Sequence, residues 1–160
     1  MNCRPRSRNA FSLLEVTFAL GVAAFSFVAV LGMLPAGLKI QQGSVNQTKA
    51  SAIMLQITAD LRADVRLPPG KAKTDQFGLN GHWAAVATPD NLYFTNDLKQ
   101  TGSVNVSPPA DAVFRATITY LFPPTATTSI AKISVSWPAQ VDPSTALPAG
   151  SAETFVAVNR

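Results

Sequence analysis

The sequence predicts an α+β fold: a long N-terminal helix, its first half apolar enough for a bilayer and its second half amphipathic, packed on an antiparallel β-sheet. Three observations carry this. Residues Phe11 to Leu34 form an apolar run broken by a single ionisable residue, Glu15. Residues 44–67 then place Ala50, Ile53, Met54, Ile57, Leu61 and Val65 at helical spacing on one face. Beyond Pro68-Pro69-Gly70 the apolar residues switch to alternation, the period of a sheet with one covered face.

The 160 residues allow one domain plus an anchor. The chain is 47% hydrophobic and only 14% charged, and the Phe11–Leu34 run accounts for the imbalance. The formal charge of +4 is uneven, because Arg4, Arg6 and Arg8 crowd the tip. Without the first ten residues, ten Lys/Arg face nine Asp/Glu, so the pI near 9.6 describes the tip and argues against a nucleic-acid partner. The one cysteine, Cys3, precedes the apolar run, which rules out a disulfide framework, a CxxC metal site and a lipid-anchoring cysteine at the far end of the segment.

As a helix, Phe11–Leu34 is roughly 36 Å long, enough to cross a bilayer core of about 30 Å. Arginines before it and no acidic residue there place residues 1–10 in the cytoplasm and Ala36–Arg160 outside it. A cleavable secretory signal is the competing reading. Its apolar core is usually about 7–15 residues long, and the nearest small-residue site here is a poor match ending at Ala36. Neither reading explains Glu15, since a carboxylate inside an apolar span costs a few kcal/mol unless a cation meets it. No cation lies in the run. A cut before Phe11 would create one, a free amine about one helical turn from Glu15.

The residues Ala10-Phe11-Ser12-Leu13-Leu14-Glu15-Val16, behind a short basic leader, resemble the class III signal of type IV pilins and type II secretion pseudopilins. The features in register are the basic leader, a small residue before the cut, Phe first in the mature chain and Glu fifth. The resemblance implies cleavage between Ala10 and Phe11 by a prepilin peptidase and N-methylation of Phe11. It implies docking of Glu15 on the N-terminus of a neighbouring subunit. It also implies sibling pilin-like subunits, an inner-membrane assembly platform, and a periplasmic or extracytoplasmic C-terminal domain. The chain departs from the family in carrying Ala10 where Gly is usual, and Gly32 where the family often has its helix-breaking proline; the proline comes later, at Pro35. Gly32, Pro35 and Gly37 predict a kink or local melting there. The overall pattern is also similar to the pilin-like proteins called Verru_Chthon cassette protein B, encoded beside sibling pilin-like proteins.

The remaining elements follow in order. The amphipathic helix is expected over 35–67, with Lys49 off the apolar stripe and Asp60, Arg62, Asp64 and Arg66 on a solvated mixed-charge face. HWAAVA (82–87) and NLYFT (91–95) flank a Pro-Asp turn and predict a hairpin. VFRATITYLF (113–122) alternates Phe114, Ala116, Ile118, Tyr120 and Phe122; AKISVSW (131–137) alternates Ile133, Val135 and Trp137; ETFVAV (153–158) makes a last strand. The pilin family has this architecture.

No constellation points to an enzyme. His82 is the single histidine, no G-x-S-x-G elbow occurs, and no phosphate-cradling glycine loop is present. Asp90, Asn91, Asn96 and Asp97 match no calcium-loop spacing. The expectation is a structural filament subunit without metal or cofactor. The alternative is a membrane-anchored binding module, an adhesin or DNA-uptake pilin, with Trp83, Tyr93 and Phe94 as a surface patch.

Overall fold

A computed structural model describes residues 11–63, 73–80, 88–121 and 128–159. Helix α1 runs from Leu13 to Ala63, and five strands follow: β1 (Asp90–Phe94), β2 (Gln100–Thr101), β3 (Phe114–Tyr120), β4 (Thr128–Trp137) and β5 (Gly150–Asn159). The chain divides into two compact units, Met1–Gln42 and Gly43–Arg160.

In the first unit every described residue is exposed, and α1 stays helical through Gly32, Pro35 and Gly37. The local melting expected there is absent. A mid-helix proline removes one backbone hydrogen bond at a cost of about 3 kcal/mol, and the bonds on either side hold the register.

In the second unit the rest of α1 packs on a five-stranded antiparallel sheet of order β2-β1-β3-β4-β5. Burial of Ala50, Ile53, Ile57 and Leu61, with Met54 packed beside them, is the stripe that helical spacing predicts; Val65 lies outside the described residues. Burying each Ile or Leu contributes about 1.5–3 kcal/mol, which suffices to fix which side of α1 meets the sheet. From the sheet come Leu92 and Phe94, then Phe114, Ala116 and Ile118, then Ile133 and Val135, then Ala152 and Val156. Registers such as Leu92↔Ala116↔Val135↔Ala152 align these residues on one face. Phe77 meets Phe94 edge-on at 5.7 Å, and Phe114 meets Trp137 at 6.1 Å.

The strands depart from expectation in informative ways. NLYFT forms β1, one residue earlier than expected, and β1 pairs with β2 and β3. The expected hairpin partner, 82–87, lies outside the described residues, as do His82, Trp83 and Phe122. The two-residue β2 is too short to show alternation. β4 starts at Thr128 rather than Ala131, and β5 spans Gly150–Asn159 rather than 153–158, because the two strands pair along their whole lengths.

Asp60 corrects the expectation of a solvated charged face. It is 5% exposed, and its carboxylate accepts backbone N–H bonds from Gln76 and Phe77, both at 3.2 Å. Those donors reduce the cost of desolvating the charge. Lys49 reaches the side-chain oxygen of Asn96 at 2.7 Å, and Arg62 is exposed. Asp64 and Arg66 lie outside the described residues.

Candidate functional site

Sequence reasoning concentrates function at the start of α1. Ala10 and the basic leader lie outside the described residues. Phe11 is 80% exposed and precedes the helix. Ser12 caps it: its hydroxyl accepts from the Leu14 N–H at 3.3 Å, and its carbonyl accepts from Glu15 and Val16 at 3.0 and 3.2 Å. Glu15 is thus the third helical residue, in the first turn, where the helix dipole favours a negative charge. No cation among the described residues pairs with its exposed carboxylate.

The cap is a feature the motif comparison misses, although its signal is present. Ser12-Leu13-Leu14-Glu15 has the S-x-x-E spacing of a capping box. Glu15 therefore stands in the first turn of its own helix, where a carboxylate supports the helix start.

Beyond Glu15 the helix suits an apolar surrounding. Its mean hydropathy reaches 2.2 over an eighteen-residue window, and its length and composition could span a membrane. The hydroxyls there turn back onto the helix, Thr17 to the Leu14 carbonyl and Ser26 to the Val22 carbonyl, both at 2.8 Å. This satisfies them without water. Thr17, Phe18, Gly21, Val22 and Phe25 line a shallow apolar groove along the helix.

The other candidate residues do not gather into a reactive centre. Asp90 is 2% exposed and takes donors from the Asn80 backbone N–H, the Asn80 and Asn105 amides and the Tyr120 hydroxyl, each at 2.9 Å. Its oxygens thus organise loops, and Asn91 joins the same network through Asn105 and Thr117. Among the described residues no group of three or more His, Cys, Asp or Glu side chains comes together. Tyr93 and Phe94 are 3% and 0% exposed, which removes them from the surface patch of the binding-module reading. Phe94 faces the helix, whereas Tyr93 lies in a second small cluster with Ala112 and Ala139.

On that second face Arg115 is directed by two neighbours, Tyr93 and Asp142. Its guanidinium lies 5.6 Å from the Tyr93 ring centroid and 2.7 Å from the Asp142 carboxylate, and across the β3–β4 ladder it faces Ser136. The Ser144 hydroxyl and backbone N–H, and then Arg115, hold the Asp142 pKa down from 3.8 to about 2.

No protein-family model matches this chain, and neither does any curated protein or solved structure. The functional reading therefore stands on the chain's own residues.

Proposed function

We propose that this protein is a structural subunit of a pilin-like or pseudopilin filament, anchored in the cytoplasmic membrane before assembly. The observation that carries the reading is the register of Ala10, Phe11 and Glu15 behind a basic leader and at the head of one long apolar helix. A prepilin peptidase cuts before Phe11, and methylation of the new amine follows. The arginine-rich tip faces the cytoplasm, and the sheet-bearing unit lies on the other side. During assembly the apolar half of α1 leaves lipid for a bundle of sibling helices. There the Glu15 carboxylate meets a neighbour's N-terminal amine, so the charge that is costly in the segment becomes one half of an ion pair between subunits.

Mass spectrometry of the mature protein tests this. The expected N-terminus is methylated Phe11. An intact Met1, or a terminus beyond Leu34, overturns the assignment. Ala10→Leu, which puts a bulky side chain at the cut, should accumulate the uncut precursor.

A further inference from the structure

We draw no further inference here: the strongest candidate, the sheet edge along β5 that pairs with no further strand among the described residues, carries none because nothing in the structure shows what covers it.

Discussion

The Asp60 carboxylate on the buried face of α1 accepts the backbone N–H of Phe77 at 3.2 Å, tying the helix to a segment whose Phe77 ring packs into the core. Asp60→Ala should strand the Gln76 and Phe77 donors and destabilise the second unit by about 1–3 kcal/mol. Asp60→Asn keeps one acceptor oxygen and should cost less. Urea unfolding of both variants checks this, and an Asp60→Ala midpoint equal to the parent's would show that the two bonds contribute nothing net.

Gly150 begins β5 directly against the Trp137 indole, in register with it across the β4–β5 ladder. A Cβ at this position would overlap the ring. Gly150→Ala should therefore cost about 1–3 kcal/mol as overpacking, a fall of roughly 3–6 °C in melting midpoint per kcal/mol for a unit between the small and mid-sized domains in length. The exposed Ser151→Ala is the matched control and should melt with the parent. Equal melting of the two variants would mean that Trp137 yields at little cost.

Asp142 gives the fold a pH dependence of known sign. Its pKa is lowered from 3.8 to about 2, by Ser144 first and then Arg115. The folded state therefore binds its proton less readily than the unfolded chain does. The contribution is fully present above about pH 4 and is lost as the pH falls toward about 2. Because the side chain is 48% exposed, water and salt weaken the effect. Asp142→Asn should be less stable than the parent at neutral pH, with the gap closing over that window in denaturant titrations. A gap that stays constant down to pH 2 would refute the linkage.

Glu15→Gln separates support of the helix start from the proposed docking of that carboxylate. Glutamine serves a capping box as glutamate does, and a neutral side chain is cheaper in lipid, so helix start, insertion and cleavage should persist. Filament incorporation should fall, since removing one partner of a buried ion pair typically costs about 3–5 kcal/mol. Co-purification with sibling pilin-like subunits measures this. Equal recovery of variant and parent would confine Glu15 to capping. Ser12→Ala provides the converse, a loss of about 0.5–2 kcal/mol of helix stability that leaves the Glu15 charge in place.

The sequence by itself determined the elements whose signal is local and periodic. Ala50, Ile53, Ile57 and Leu61 recur at helical spacing, and Phe114, Ala116 and Ile118 alternate, so each set declared its buried face before any partner was known. The cap at Ser12 was legible too, in the spacing to Glu15. Tertiary structure decided what depends on residues distant in the chain. Asp60 is buried because donors sixteen and seventeen residues away meet its carboxylate, whereas its charged neighbours in sequence suggested a wet face. Tyr93 points away from the helix yet is buried, because Ala112 and Ala139 cover it. Asp142 is an ordinary turn residue until β3 brings Arg115 to it. Periodicity reports which side of an element is apolar, but a polar group's fate depends on which donors reach it, and those come from segments that only the folded chain places beside it.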